Sequence, residues 1–119
     1  MEEKRKAFRI KSSLFIQYSF FEEGNLPKWD ISTVRDISET GVSLLTGKRF
    51  NPSDTIVLRI KIPSRPFDLT EVKGKVVASE NTDSNNTFLT RIQFVETNKE
   101  TQNILKEYIN WVIKNYQDK

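Results

Sequence analysis

The stretch TVRDISETGVSLLT, residues 33–46, contains two apolar runs separated by a short polar corner. The first run ends a segment, residues 29–34, that alternates like a β-strand, and the second run, residues 41–46, predicts the next strand. The corner between them is DISETG, residues 36–41, which brings an acid, a hydroxyl and a glycine together. The sequence therefore predicts two strands joined at a tight turn with an unusual set of side chains.

Alternating apolar residues predict four further strands. The clearest covers residues 56–62, where isoleucine and leucine occupy one face and Arg59 and Lys61 the other. The remaining three are residues 14–20, 72–79 and 88–94, and Gly74 is predicted to mark a bulge or a close approach between strands.

Apolar residues recur at helical spacing after residue 97, which predicts one amphipathic helix. Thr97 and Glu100 have the spacing of a capping box at its start. Trp29 and Trp111 are predicted to pack in the core or against the helix rather than to act as exposed stacking surfaces.

Six short strands followed by one helix are typical of a closed or nearly closed β-barrel with the helix over an opening or an edge. A chain of 119 residues can bury a core of its own as a single domain. The predicted organisation is one mainly β domain over residues 1–119. It has a flexible basic segment at 1–11, the barrel at 12–96 and the helix at 97–117.

The missing residue types restrict the chemistry. The chain has no cysteine and no histidine, so a thiolate nucleophile, a thiolate metal site and the commonest general base are all excluded. The acidic residues are scattered and suggest no metal site. We therefore predict that the protein is not an enzyme and has neither catalytic residues nor a metal. No apolar run is long enough to span a membrane and no signal peptide is evident, so a cytoplasmic location is expected.

A basic segment near the N-terminus includes RKAFR, residues 5–9. One interpretation is a solvated basic tail. The other is an anion-binding segment, because each guanidinium of Arg5 and Arg9 offers a fork of donors that matches phosphate oxygens or the O6 and N7 edge of guanine.

DISETG also has two interpretations. In a plain β-turn, Asp36 or Ser38 bonds its own backbone and Gly41 takes a positive φ. That interpretation explains each residue type separately, but it does not require all three at this spacing. In a ligand site, Asp36 accepts hydrogen bonds from N1 and N2 of guanine, Ser38 binds a phosphate or a base edge, and Gly41 lets the ligand come close.

These two motifs, in this order, resemble those of the PilZ domain family, R-x-x-x-R followed by [D/N]-x-S-x-x-G. All five motif positions are filled without substitution, by Arg5, Arg9, Asp36, Ser38 and Gly41. The resemblance extends over most of the chain through NPSDTIVLRIKIP, GKVVAS and RIQF. The last of these departs from the family pattern, because Arg91 stands where the family often has glycine.

The resemblance implies a six-stranded antiparallel β-barrel with one C-terminal helix that binds the bacterial second messenger cyclic di-GMP and needs no other cofactor. It implies a non-catalytic receptor in which the arginine segment closes on the ligand and the change is passed to a protein effector in trans. The five motif residues are the implied ligand contacts, and Lys4 and Arg91 are two further candidates.

Two other functions stay open at this point. One is a PilZ-like protein-interaction module that binds no nucleotide. The other is a small nucleic-acid-binding barrel, which the net charge of only +3 and the carboxylate of Asp36 disfavour. The sequence leaves open a homodimer, the ligand stoichiometry and the downstream process, whether motility, adhesion or polysaccharide secretion.

Overall fold

The computed structural model describes residues 10–11, 14–20, 28–62, 70–83, 86–95 and 97–117. These residues form seven strands and one helix in chain order. They are β1 (Ile10–Lys11), β2 (Phe15–Phe20), β3 (Lys28–Ile37), β4 (Gly41–Thr46), β5 (Thr55–Ile60), β6 (Thr70–Asn81), β7 (Phe88–Val95) and α1 (Lys99–Gln117).

Six of the strands form a closed antiparallel barrel. The order around it is β3-β2-β5-β6-β7-β4, and β4 pairs back onto β3. β1 is an additional strand outside this ring, which pairs with the end of β3. The predicted six-stranded antiparallel barrel with one C-terminal helix is confirmed.

The barrel interior is filled by the alternating residues that the sequence singles out. Ile56, Leu58 and Ile60 of β5 have no exposed surface, and Ile16 and Tyr18 of β2 are also buried. Burial of such side chains stabilises a fold by roughly 1.5 to 3 kcal/mol each. The period-two pattern of these strands is therefore explained by the core.

The helix packs one apolar stripe on the barrel core, formed by Leu105, Tyr108, Ile109 and Val112. Its start differs from the predicted capping box, because Asn98 is the capping residue. The Asn98 Oδ1 accepts a hydrogen bond from the backbone N–H of Thr101 at 2.7 Å, as expected of asparagine before the first turn. Among the described residues, no helix has the length and apolar character needed to cross a membrane.

Both tryptophans have substantial exposure, contrary to the core prediction for Trp29. Trp29 lies on the outer side of β3, and the Arg59 guanidinium is 3.9 Å above the centre of its ring. Trp111 is more than half exposed and stacks on Tyr108 of the same helix. Trp29 has polar neighbours, as a core residue of a strand often has. Val34 is buried, however, and it is an odd number of residues from Trp29, so the alternation along β3 places Trp29 on the outer side.

Candidate functional site

The turn between β3 and β4 is held by the side chain of Ser38. The Ser38 hydroxyl accepts hydrogen bonds from the backbone N–H of Thr40 at 3.1 Å and of Gly41 at 3.2 Å. The Ser38 backbone N–H donates to the carbonyl of Gly41 at 2.9 Å. Ser38 is buried, so these bonds satisfy groups that water does not reach. The local turn interpretation of this serine is confirmed.

Gly41 is required by the approach of β4 to β7. A Cβ at this position would lie 2.5 Å from the carbonyl oxygen of Ile92, closer than packed atoms approach. The φ of Gly41 is not in the left-handed region, so the positive φ of the turn interpretation is wrong. The Phe94 N–H donates to the carbonyl of Thr40 at 2.8 Å. The turn is therefore joined to β7 in two ways, by a hydrogen bond at Thr40 and by close packing at Gly41.

A β-bulge in β3 turns Asp36 to the outer surface. Val34 lies opposite Leu44 of β4, and both are in the core. Asp36, two residues further on, lies opposite Ser43, only one residue from Leu44. The surplus residue lets Val34 and Ile37 both enter the core although they are three positions apart. Asp36 shares the outer side with Ser43 and is half-buried there.

A second bulge lies in β6. Val76 is opposite Ile92 of β7, whereas Ala78 is opposite Arg91, so Val77 is the surplus residue. Gly74 precedes this bulge, and a Cβ there would collide with the side chain of Ile92. Gly74 is therefore the predicted close-approach point.

The two bulges flank one line of residues that crosses four strands, which we call the outer row: Asp36, Ser43, Arg91 and Ala78. Neighbouring strands lie about 4.8 Å apart, so the backbones at Asp36 and Arg91 are separated by roughly 10 Å. Arg91 is exposed. The outer row therefore has an acidic side chain on one side of β4 and a basic one on the other.

Ser43 differs from the other buried hydroxyl groups. It is 1% exposed, and its Oγ has no hydrogen-bond partner among the described residues. In contrast, Thr90 Oγ1 is 2.8 Å from Thr46 Oγ1 and 2.9 Å from Ser79 Oγ. An unsatisfied buried hydroxyl costs about 1 to 3 kcal/mol and calls for an explanation. Ser43 was not among the predicted site residues, although a serine between valine and leucine in an apolar strand was the available signal.

Arg5, Arg9 and Lys4 lie outside the described residues. Ile10, which is covalently bonded to Arg9, pairs with Ile37, the residue before Ser38. The chain that continues from the first motif therefore runs beside the second motif. The structure brings Asp36, Ser38, Gly41 and Arg91 together at this end of β4.

A cleft of about 200 Å³ lies near the other end of β4, lined by Phe20, Lys48, Phe50, Asp54 and Thr55. The Lys48 ammonium sits 4.5 Å from the centre of the Phe20 ring. The cleft contains none of the motif residues. Within the described ranges, no three acidic side chains are placed to hold a metal ion.

The family comparison gives one match. The sequence model of the PilZ domain matches residues 3–111, which include both motifs. No curated protein has a matching sequence.

Several solved structures share the fold. The Bacillus subtilis inhibitor of motility MotI (DgrA) has a TM-score of 0.75 at 17% identity, over 95% of this chain and 53% of that one. The PilZ domain of YcgR from Escherichia coli, solved with c-di-GMP, has a TM-score of 0.73 at 14% identity, over 98% and 96%. The c-di-GMP complex of K. pneumonia MrkH has a TM-score of 0.68 at 15% identity, over 99% and 57%. The chain thus spans about half the length of MotI and MrkH, and nearly all of the YcgR domain.

Proposed function

Because the chain belongs to the PilZ domain family, we propose that it is a non-catalytic receptor for cyclic di-GMP. The observation that carries the proposal is the position of Asp36. Its carboxylate is turned to the barrel surface by a bulge, directly beside the strand that continues from Arg9. Two proteins of the same fold, the YcgR domain and MrkH, were solved with this ligand.

Asp36 is the residue that reads guanine in this proposal. An ionised carboxylate only accepts hydrogen bonds, and guanine presents two neighbouring donors, N1–H and the N2 amino group. Adenine has an acceptor at N1, which a carboxylate repels. The half-buried position of Asp36 strengthens such bonds, because the local dielectric is lower than in water.

Ser38 and Gly41 act in the proposal by shaping the surface on which the ligand lies. The Ser38 hydroxyl is already bonded to two N–H groups of the turn, so its main contribution is to fix the turn next to Asp36. Gly41 has no side chain and lies tight against β7. Gly41 thus acts in the proposal by allowing the tight turn that places Asp36 beside β4.

Arg5 and Arg9 supply the positive charge in the proposal. Their segment continues into β1 beside Ile37, and their guanidinium forks match phosphate oxygens and the guanine acceptor edge. Ile10 and Lys11 are already paired with β3, so the signal that we propose is the closure of residues 1–9 over the ligand. Amide hydrogen exchange of these residues is expected to slow when cyclic di-GMP is added. Equal protection with and without ligand would contradict this signalling step.

The proposed receptor passes its signal to a protein partner. Phe15 and Ile31 are 67% and 68% exposed on β2 and β3, and Trp29 lies on the same side of β3. Neighbouring exposed apolar side chains are typical of protein contact surfaces. The same observation favours the second candidate function, a protein-interaction module that binds no nucleotide.

Isothermal titration of the full chain separates the two candidates. We expect micromolar or tighter binding of cyclic di-GMP, and much weaker binding of cyclic di-AMP and linear GMP. Asp36→Ala should weaken cyclic di-GMP binding about tenfold or more, because it removes a charge-assisted acceptor.

Asp54→Ala is the matched control. Asp54 lies in another turn, where its carboxylate accepts from the Asn51 N–H at 2.9 Å, and its replacement should leave the affinity unchanged. Equal affinity for the two cyclic dinucleotides would contradict guanine reading by Asp36. A parent chain that binds neither would leave the interaction module as the function.

A further inference from the structure

We propose that Arg91 is a second determinant of guanine specificity, in addition to Asp36. Its guanidinium binds the O6 and N7 acceptors of the same guanine whose N1 and N2 donors are bound by Asp36. The inference rests on the proposed function as a cyclic di-GMP receptor. It adds a contact at a position where the family often has glycine.

The register of the strands places Asp36 and Arg91 within reach of one base. Asp36 and Arg91 are the charged members of the outer row, on opposite sides of β4. Two strand spacings separate them, roughly 10 Å between backbones. A purine lying over β4 is within reach of the short aspartate side chain from one side and the long arginine side chain from the other.

The side chains between and beside Asp36 and Arg91 are small. Gly41 and Ser43 are the outer-facing residues of β4 at this level, and Ala78 follows Arg91 in the outer row. All three are small, so little side-chain bulk separates Asp36 from Arg91 on this surface. The Ser43 hydroxyl lies in the middle of this surface without a partner among the described residues. A base lying on the outer row supplies polar atoms to this hydroxyl.

The charges at the two ends of the outer row also match the donors and acceptors of guanine. Guanine has its donors, N1 and N2, on one edge and its acceptors, O6 and N7, on another. A carboxylate at one end of the outer row and a guanidinium at the other complement that arrangement. Adenine has an amino donor at position 6, which a guanidinium repels. The row therefore selects guanine at both ends.

Arg91 also differs from another outward-facing arginine of the barrel. Arg59 is already engaged, since it stacks on Trp29 and its Nε lies 3.7 Å from Oε1 of Glu71. Arg91 has no ion pair within the described part of the chain, and it is exposed. Its donor fork is therefore available to a ligand.

The test is isothermal titration of the full-length parent and its variants with cyclic di-GMP and with its 7-deazaguanine analogue, which lacks the N7 acceptor. Arg91→Ala should weaken cyclic di-GMP binding by about tenfold or more. Arg91→Lys should also weaken it, because an ammonium cannot form the two parallel bonds. The parent should bind the 7-deaza analogue more weakly than cyclic di-GMP, and Arg91→Ala should bind the two equally.

Arg59→Ala is the control with the same change of charge, and it should bind like the parent. If Arg91→Ala binds like the parent while Asp36→Ala is weakened, the Arg91 inference is wrong and the proposed receptor function stands. If the parent itself does not bind cyclic di-GMP, both are wrong. Circular dichroism of each variant confirms that the exposed substitutions leave the fold intact.

Discussion

The two ends of β4 differ in packing. Gly41, its first residue, packs tightly against β7, whereas Gly47, just after its last residue, has free space around it. A Cβ on Gly41 would lie 2.5 Å from the backbone oxygen of Ile92, but a Cβ on Gly47 would meet no atom within 4 Å. The buried hydroxyl groups are satisfied at the loosely packed end, whereas at the tightly packed end one of them is not satisfied by the described residues. Near Gly47 the hydroxyls of Thr46 and Thr90 bond each other, while near Gly41 the Ser43 hydroxyl has no partner among the described residues.

The Gly47 end is complete within the protein. The Gly47 N–H donates to the Tyr18 hydroxyl at 3.4 Å, and burial raises the pKa of that phenol, which keeps it neutral. The Gly41 end has a tightly packed backbone, but the Ser43 hydroxyl beside it is unsatisfied among the described residues. The difference suggests how a ligand surface can be recognised. Such a surface combines a rigid backbone with a polar side chain, here that of Ser43, that the described part of the protein does not satisfy.

The largest expected effect concerns Arg5 and Arg9, the arginines of the segment that precedes β1. Arg5→Ala and Arg9→Ala should each weaken cyclic di-GMP binding by roughly 2 to 5 kcal/mol, the usual cost of truncating one partner of a desolvated charge contact. The apo melting temperature should stay nearly unchanged. Titration and thermal denaturation of the same samples check both statements.

Arg49→Ala is the control from the other end of β4, where Arg49 is exposed two residues after Gly47, and it should bind like the parent. If Arg5→Ala and Arg9→Ala also bind like the parent, the basic segment is only a solvated tail. The two ends of β4 would then be equivalent in binding.

A smaller effect is expected on stability from the two glycines. Gly41→Ala should lower the free energy of unfolding by about 1 to 3 kcal/mol, since the new methyl group meets backbone that cannot move aside. Gly47→Ala has free space and no left-handed φ, so the change should stay within about 0.5 kcal/mol. Thermal denaturation followed by circular dichroism measures the difference, and equal melting temperatures would remove the backbone half of the comparison.

The smallest effect belongs to the Gly47 end. Lys48→Met removes an ammonium that lies 4.5 Å from the Phe20 ring centre and 5.5 Å from that of Phe50. Such exposed contacts are worth about 0.5 to 1 kcal/mol. Lys61→Met, which changes the same charge away from these rings, is the control. Affinity for cyclic di-GMP should be equal in both variants, and a loss specific to Lys48→Met would mean that the ligand site extends along all of β4.

Much of the fold could be predicted because its strands bury alternate residues. Ile56, Leu58 and Ile60 show this directly, and so does the helix stripe that includes Leu105 and Ile109. The position of the candidate site was also predictable, since Asp36 lies in a motif between two recognisable strands. Here local pattern and tertiary structure agree.

The two bulges could not be predicted from the sequence. Arg35 and Val77 are the surplus residues, and neither residue type indicates an irregular strand. A bulge depends on how many residues the partner strand has at that point, which is information from a distant part of the chain. The same cause explains the error at Trp29, because the side that its strand buries is set by Val34 and its partner Leu44. Ser43 was missed for a related reason, since its importance lies in its neighbours across the sheet.

The paired bulges have a consequence for anyone who wishes to transplant this surface into another protein. Grafting DISETG alone onto a regular hairpin would transfer the carboxylate but not its direction. If Arg35 were paired as in a regular strand instead of bulging, Asp36 would share the inward side with Val34. Arg91 needs its own counterpart, the surplus Val77 on the neighbouring strand. The smallest portable unit is therefore a patch of four strands, and a designer would have to copy its irregularities before copying its charges.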